Sequence, residues 1–284
     1  MRTHPPVTNE VARGARQAAR ETAKKARTRR GQTIAVLSSV IVIGGLAAIT
    51  LTSSGWPEVR ETFFSADAFR TSFPDILKAF KLDVEMFVAI EVVVLIVGLL
   101  IALVRSSRNP VFFPIRMIAA VFCDVFRGVP VILLIYMFGF GIPALGLSGV
   151  PNDPIILAGI ALALAYSAYV AEVYRAGIGS IHPTQTDAAL AVGLTRTQAL
   201  RFVVLPQAVR RVRPPLLNDF ISLQKDVALV SILGIVEAFQ QAQIFAAATF
   251  NYTPLVAAAL LYLAVTIPMA RILDHITARG EVNA

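Results

Sequence analysis

The chain reads PIILAGIALALAYSAYVA from Pro154 to Ala171, and no charged side chain interrupts this stretch. A second uncharged run extends from Thr33 to Thr52. Both runs approach or match the roughly 20 apolar residues that a helix needs to cross the hydrocarbon layer of a membrane. We therefore predict a polytopic helical membrane protein.

The composition of the whole chain agrees with a membrane protein. Of the 284 residues, 56% are hydrophobic and 15% are charged, and the mean hydropathy is +0.68. A soluble domain has roughly 25% charged residues, so the composition argues against a soluble enzyme. The single cysteine, Cys123, excludes a disulfide framework or a cysteine metal cluster within one chain. The three histidines have no metal-ligand spacing, so no metal site is predicted.

Apolar segments predict six membrane-spanning helices. The first is longer than the roughly 7–15 apolar residues of a signal peptide, which is the alternative for a run that follows basic residues. The third is expected to kink where Gly128 and Pro130 interrupt it. The predicted spans are Thr33–Thr52, Val84–Val104, Met117–Ile142, Pro154–Val173, Pro215–Val236 and Pro254–Leu273.

Basic residues predict the orientation of these spans. Six spans place both termini on one side of the membrane, and 21 of the 26 Lys and Arg residues fall in segments on that side. The opposite segments hold four, and Lys225 lies inside a span. By the positive-inside rule, both termini are predicted to be cytoplasmic, in a cell (plasma) membrane. The net charge of +8 is then mostly explained by topology and does not indicate nucleic acid.

The domain order follows from the same segments. Residues 1–31 hold nine basic and two acidic residues and almost no large apolar side chain, which predicts a disordered cytoplasmic tail. Residues 54–83 mix charges of both signs with aromatic side chains, which predicts an external amphipathic segment. The other predicted domains are a first transmembrane helix at 32–53, a transmembrane domain at 84–275 with a cytoplasmic loop at about 176–213, and a cytoplasmic tail at 276–284.

The largest cytoplasmic loop, residues 175–214, has a pattern of its own. It reads Asp187-Ala-Ala, then Gly193, then Val203-Val-Leu-Pro206. Short helices are predicted over Thr184–Ala191 and Thr197–Val204, with Gly193 in the sharp turn between them and Pro206 ending the second. Two short helices parallel to the membrane would form a rigid knob on which a soluble motor can push.

This loop resembles the EAA loop of ATP-binding cassette importer permeases, which reads EAA, three residues, G, nine residues, I, one residue, LP. The spacing matches throughout, with Asp187 in place of Glu and Val203 in place of Ile. The segments Phe126–Pro130, Ser167–Arg175, Leu205–Ala208 and Ser222–Ser231 resemble the polar amino acid subfamily, although Val129, Gln224, Val227 and Ala228 depart from its usual RGTP and SLLKDTSL forms. The resemblance covers about residues 73–275, outside the first span and the tail.

The resemblance implies a fold and a set of partners. The fold would be all-α and polytopic, with a five-helix importer-permease core and one extra N-terminal helix. The chain would dimerise with an identical or homologous permease subunit beneath an extracytoplasmic binding protein that delivers a polar amino acid. An ATPase dimer would bind ATP and Mg, because this sequence has no GxxxxGK(S/T) phosphate loop. This chain would then be no enzyme and would carry no cofactor.

The resemblance also implies which residues couple this chain to the motor. They would enter a cleft of the ATPase subunit, whereas the alternative is an amphipathic surface loop without a partner. These coupling residues are Gln185, Asp187, Ala188, Ala189, Gly193, Leu205 and Pro206.

Charged residues within the spans are candidates for the substrate pathway, because charge in hydrocarbon is costly and usually faces a partner or a polar channel. Asp124 with Arg127, and Glu172 with Arg175, have the spacing for internal salt bridges, an interpretation as good as ligand contact. Glu91 is alone in its span. The fifth span holds a polar stripe, and the pathway candidates are Asn218, Ser222, Lys225 and Asp226, with Arg127 as a partner for Asp226.

Two other classes of function remain as alternatives. A membrane-embedded enzyme is disfavoured because GxSxG and HExxH motifs are missing from the sequence. An ion-coupled secondary amino acid carrier or a channel would work without a motor, but such carriers are commonly built from two repeated halves. We find no internal repeat in this sequence, and a docking loop would serve no purpose in a carrier.

Overall fold

The computed structural model describes residues 31–32, 34–107 and 109–282, and every element in this part of the chain is helical. The predicted disordered tail therefore lies almost wholly outside the described residues. The chain divides into two compact units, residues 1–61 and 62–284. In the first unit, α1 spans Ile34–Leu51, which is long and apolar enough to cross a membrane, and its described side chains are all exposed. The helix α2, Trp56–Phe63, follows it.

The second unit holds the helices that position the candidate sites. Short 3₁₀ helices at Pro110–Phe112 and Val227–Leu233 and π-helical turns at Met137–Gly141 and Leu200–Val204 connect them. The α-helices are α3 (Ala66–Ser106), α4 (Phe113–Gly128), α5 (Val131–Tyr136), α6 (Ile142–Ala144), α7 (Pro154–Gly179), α8 (Pro183–Ala191), α9 (Arg196–Ala199), α10 (Leu205–Asp226), α11 (Ala238–Thr249) and α12 (Thr253–Val282).

Helix α3 is longer than the predicted second span. It begins at Ala66, where the Ser65 hydroxyl caps it by accepting a hydrogen bond from the Ala68 amide, and it continues for 41 residues to Ser106. Residues 66–83, predicted as part of a separate amphipathic segment, thus form the first half of the same helix that contains the apolar run Val84–Val104. Helix α3 includes residues 66–83 because α11 and α12 pack against the buried aromatic and aliphatic side chains on one face of this part of the helix.

The predicted interruption of the third span at Gly128 and Pro130 is confirmed, and the bend there is sharper than a kink within one continuous helix. The segments Pro110–Gly128 and Val131–Ala144 meet at a bend of 102°, so α4 and α5 run in very different directions. Pro130 has no amide hydrogen to continue the α4 hydrogen-bond ladder, and its carbonyl instead accepts from Leu133 and Leu134 and starts α5. A Cβ built at Gly128 would meet no atom within 4 Å, so the space around this turn does not require glycine.

The helix that contains the predicted fifth span begins before Pro215, and the prediction that Pro206 ends the second loop helix is wrong. The helical segment runs without interruption from Arg196 through the π turn into α10. Pro206 lies in the first turn of α10, directly after the π turn, so it does not end the helical segment. The segments Arg196–Leu233 and Ala238–Thr249 then meet at 51°. Within the described ranges, four helices can span a membrane by length and composition, or up to six if each bent pair counts as one span.

The core of the second unit is built on the contact between α3 and α7. A side chain at Gly98 would place its Cβ 2.7 Å from Val170 Cγ1, so glycine permits the close approach of the two helices. Ile90, Val94, Leu162 and Val170 are buried in the largest cluster, which α5, α10 and the 3₁₀ helix Val227–Leu233 complete. Packing of small and aliphatic side chains stabilises helix contacts in membranes, where lipid offers no hydrophobic driving force.

A buried polar junction joins α3, α11 and α12. Asp83 and Glu237 are 1% and 0% exposed. Glu237 caps α11 by accepting hydrogen bonds from the amides of Phe239 and Gln240, both at 2.7 Å, and Asp83 accepts from the Ala238 amide at 3.1 Å. The Tyr262 hydroxyl lies 2.8 Å from Asp83 Oδ1 and 3.2 Å from Glu237 Oε2. The first amides of α11 are therefore satisfied inside the protein.

We predict that Asp83→Ala lowers the free energy of unfolding by about 1–3 kcal/mol, the usual cost of leaving a buried donor without an acceptor. Thermal and denaturant unfolding of the purified chain in detergent measures the change. Asp75→Ala is the matched control, since Asp75 is an exposed aspartate on the same helix. Equal stability of the two variants would contradict this role for Asp83.

Candidate functional site

The loop that was predicted to be cytoplasmic forms a knob at residues 182–206, in which the first predicted short helix is separate and the second continues into α10. Its first helix, predicted over Thr184–Ala191, is confirmed as α8, with Pro183 in the first turn and His182 Nδ1 accepting a hydrogen bond from the Thr184 amide. Gly193 follows with φ +92°, a left-handed backbone that favours glycine, and the Leu194 amide donates back to the Ala189 carbonyl. The predicted sharp turn at Gly193 is thereby confirmed.

The knob exposes most of the predicted coupling residues, although one of them is internal. Ala189 is 5% exposed and holds α8 against the rest of the knob. The exposed residues of the set are Gln185, Asp187, Ala188, Gly193, Leu205 and Pro206. Gln207 joins the set, because its Nε2 donates to Gln185 Oε1 at 3.3 Å and thus ties α8 to α10. The sequence feature that could have identified Gln207 is its position directly after Pro206.

The knob is fastened to two long helices. Arg211 of α10 donates to the Ser180 carbonyl at the end of α7, and the Ser180 hydroxyl donates to the Gly177 carbonyl at 2.7 Å. Gly177 also lets Val212 approach α7, because a Cβ at Gly177 would overlap the Val212 side chain. These contacts join α10 to the end of α7, directly before the segment that leads into α8.

Glu172 of α7 is the centre of an arginine cluster. Its Oε2 lies 2.7 Å from Arg105 Nη1 of α3 and 3.8 Å from Arg127 Nη1 of α4, and its Oε1 pairs with Arg175. The predicted Glu172–Arg175 pair is thus confirmed. The predicted Asp124–Arg127 pair does not form among the described ion pairs, because α4 packs on α7 and directs Arg127 to Glu172 and over the Tyr169 ring, at 5.8 Å.

Lys225 and Asp226 face different neighbours, as their adjacent positions on a helix require. Asp226 Oδ2 accepts a hydrogen bond from the Tyr166 hydroxyl of α7 at 2.8 Å. The predicted contact of Asp226 with Arg127 is absent from the described ion pairs, and the tyrosine takes that place. Lys225 is exposed and lines a cavity.

This cavity has a volume of about 610 Å³ and lies between the α10 end, α5, α11 and α12. Its size falls in the range of small-molecule sites, which are mostly apolar with a few polar groups that fix the ligand. Of the pathway candidates only Lys225 lines it, whereas Asn218, Ser222, Asp226 and Arg127 do not. Its other polar members are Ser231, Gln240, Gln243 and Tyr262.

Sequence reasoning named Glu91 of α3 but missed two other polar residues of the long helices, Ser167 of α7 and Asp219 of α10. Glu91 is 8% and Ser167 is 1% exposed, and neither the Ser167 hydroxyl nor Asp219 Oδ2 has a hydrogen-bond partner among the described residues. The Arg127 guanidinium acts electrostatically on Asp219, yet no ion pair within 4.0 Å joins them in the described part of the chain. Asp219 lies seven residues before Asp226, a helical spacing that could have revealed it.

Comparison with known proteins identifies the family. Residues 94–281 match the family model described as binding-protein-dependent transport system inner membrane component. The arginine transport system permease protein ArtQ of Bacillus subtilis is 35% identical over 190 residues, which are 66% of this chain and 84% of that protein. The glutamine transport system permease protein GlnP of Escherichia coli (strain K12) is 32% identical over 189 residues, again 66% and 84% of the two chains.

Solved structures agree with this match. A crystal structure of an amino acid ABC transporter with histidines superimposes with a TM-score of 0.66 and 30% identity, over 72% of this chain and 94% of that one. The inward-facing MetNI methionine ABC transporter shares the fold, with a TM-score of 0.59 at 18% identity over 72% of this chain and 95% of that one. The chain belongs to the family of binding-protein-dependent transport system inner membrane components, so it is a multi-pass membrane protein and the resemblance to importer permeases is confirmed.

We predict that Tyr166 and Asp226 stabilise the chain as a pair. Tyr166→Phe and Asp226→Ala should each lower the unfolding free energy, and the double variant should lose less than the sum, with a coupling of about 1–3 kcal/mol. Unfolding of the four proteins in detergent gives the coupling. Lys225→Met, which removes a charge from an exposed neighbour, is the control and should leave stability unchanged. Additive losses would show that the hydrogen bond contributes nothing.

Proposed function

We propose that this chain is the transmembrane permease subunit of an ATP-driven importer that carries a polar amino acid from an extracytoplasmic binding protein into the cytoplasm. The observation that carries the proposal is the knob, in which a glycine turn of the family spacing fixes an exposed helix to two long helices of the core. Permeases of arginine and glutamine transport systems among the relatives support the amino acid class.

In this proposal, α8 enters a cleft of an ATPase subunit that binds ATP and Mg. Gln185, Asp187 and Ala188 contact the ATPase, and Ala189 fixes α8 from inside. Movement of the ATPase subunits then displaces α7 and α10 through the contacts of Ser180 and Gln207. The cavity opens alternately to the two sides of the membrane as these helices move.

The charges along the pathway suit a zwitterion. Lys225 would hold the amino acid carboxylate in the cavity, with the amides of Gln240 and Gln243 beside it. Asp219, with one oxygen unpartnered in the described part of the chain, offers an acceptor for an ammonium group. Contacts of modest strength allow a substrate to leave again.

The other partners and the orientation follow from the family and from the loop charges. A second permease subunit, identical or homologous, completes the pathway, and both termini lie in the cytoplasm. The decisive experiment is reconstitution in proteoliposomes with the ATPase subunit that co-purifies and the binding protein. ATP-dependent uptake of a radiolabelled amino acid supports the proposal. Uptake by this chain alone, driven by an ion gradient, would replace it with a secondary carrier.

Gly193→Leu should uncouple ATP hydrolysis from uptake. A leucine at φ +92° is strained by roughly 1–2 kcal/mol, so the turn and the direction of α8 change while the membrane helices still insert. Uptake and substrate-stimulated ATPase activity are measured together in proteoliposomes. Gly179→Leu is the control, because this glycine lies nearby in ordinary helical backbone with open space around it. Normal coupling in Gly193→Leu would contradict the role of the turn.

Lys225→Met should raise the KM for the amino acid about tenfold or more, since hydrogen bonds to charged groups contribute about 1.5–3 kcal/mol. Transport kinetics over a range of substrate concentrations measure the change. Lys81→Met is the matched control, because Lys81 is exposed and pairs only with Glu85 of the same helix, at 3.4 Å. An unchanged KM would remove Lys225 from the pathway and leave the rest of the proposal standing.

A further inference from the structure

The cavity beside α10 has a single charged side chain in its wall. Among the described residues that line it, Lys225 is the only one with a charge. No carboxylate forms an ion pair with Lys225 among the described residues. Hydrogen bonds between ionised groups are roughly twice as strong as neutral ones, so a carboxylate is the ligand group that this wall binds most strongly.

The carboxylates around the cavity are engaged with other groups. Asp226 accepts a hydrogen bond from Tyr166 of α7 at 2.8 Å and does not line the cavity. Asp83 and Glu237 are buried, and they accept hydrogen bonds from the first amides of α11 and from the cavity residue Tyr262. In the described part of the chain, the cavity wall therefore offers no carboxylate to a cation that enters.

Asp219 is also too far along α10 to serve as a wall of the cavity. It precedes Lys225 by six residues, which is about 9 Å at a helical rise of about 1.5 Å per residue. Asp219 does not line the cavity. A group of the substrate that contacts Asp219 is therefore outside the space beside Lys225.

A departure from the subfamily pattern removes a further acceptor from the wall. Ala228 lines the cavity at the position where the usual form SLLKDTSL has a serine. A serine hydroxyl accepts hydrogen bonds from a guanidinium or an ammonium group, and a methyl group does not. The side-chain oxygens of Gln240, Gln243 and Ser231 remain, and they suffice for the single α-ammonium group of an amino acid.

A basic side chain would bring a second cation into this space. It would lie near the ammonium group of Lys225 without a carboxylate of its own, and an unpaired charge away from water costs several kcal/mol. A neutral or acidic side chain adds no cation. The amides of Gln240 and Gln243 both donate and accept hydrogen bonds, so they suit an amide, a hydroxyl or a carboxylate.

We infer that the cavity selects amino acids without a cationic side chain and rejects arginine and lysine. Lys225 binds the α-carboxylate, and Gln240 and Gln243 contact the rest of the substrate. The absence of a carboxylate from the described wall, to which Ala228 contributes, determines the selection. The inference rests on the proposed function, in which the cavity belongs to the substrate pathway, and it separates this chain from a relative that is an arginine transport system permease protein.

The test measures the Kd values of arginine, glutamine and glutamate for the complex of both permease subunits with the ATPase dimer in nanodiscs, by ligand-observed NMR titration. The binding protein is left out, so its own selectivity does not enter. Wild type should bind arginine at least tenfold more weakly than glutamine and glutamate. Gln243→Glu adds a carboxylate to the wall and should strengthen arginine binding at least tenfold. Gln241→Glu is the matched control, because Gln241 lies on the same helix, is half-buried and does not line the cavity.

Two results would overturn the inference. If wild type binds arginine as tightly as glutamine, the cavity does not select by charge, and ATP-dependent uptake of either amino acid leaves the proposed function standing. If Gln243→Glu and Gln241→Glu change arginine binding equally, recognition lies elsewhere. Ala228→Ser, which restores the usual residue of the subfamily, supplies a second and milder variant and should strengthen arginine binding about twofold to fivefold. Uptake that an ion gradient drives without the ATPase would instead overturn the proposed function, and the Kd ratios would still report on the cavity.

Discussion

Backbone hydrogen bonding governs where a helical chain can break inside a membrane, because an unpaired N–H or C=O group in hydrocarbon costs several kcal/mol. The break before α11 satisfies this constraint with side chains, since Glu237 and Asp83 accept the first three amides of the new helix. The break before α5 satisfies it with Pro130, which has no amide hydrogen to leave unpaired. The cavity that Lys225 lines depends on both breaks, because residues of α5 and α11 form its walls.

Charged side chains also join the long helices of the second unit to one another. Glu172 ties α3 and α4 to α7, and Asp226 ties the end of α10 to α7 through Tyr166. The knob is fastened to α7 and α10 as well, through Ser180 and Gln207. Helix α7 therefore contributes to the core and to the arginine cluster, and it ends where the knob begins.

Local patterns in the sequence predicted those features that local chemistry determines. The apolar run of α7, the turn at Gly193 after α8, and the Glu172–Arg175 pair all depend on residues close together in the chain. The errors occurred where distant segments decide. Pro206 does not end a helix, because the π turn before it continues into α10. Arg127 pairs with Glu172 of a neighbouring helix and not with Asp124 of its own helix.

The cavity was missed in part for the same reason. Gln240 and Gln243 follow the predicted end of the fifth span at Val236, so the sequence placed them in an external loop. The left-handed turn at Gly234, with φ +77°, and the carboxylate cap return the chain to a helix beside Lys225. Side chains separated by a break of this kind share a wall of the cavity without sharing any sequence periodicity.

The backbone geometry of Gly193 determines which residues this position can accept. Its φ is +92°, yet nothing lies within 4 Å of the place where a Cβ would stand. The position thus excludes L side chains by conformation and not by lack of space. Mirror symmetry reverses the preference, so a D-alanine introduced by chemical synthesis would suit this turn without strain. The requirement at the tip of the knob is one of handedness, and size is irrelevant to it.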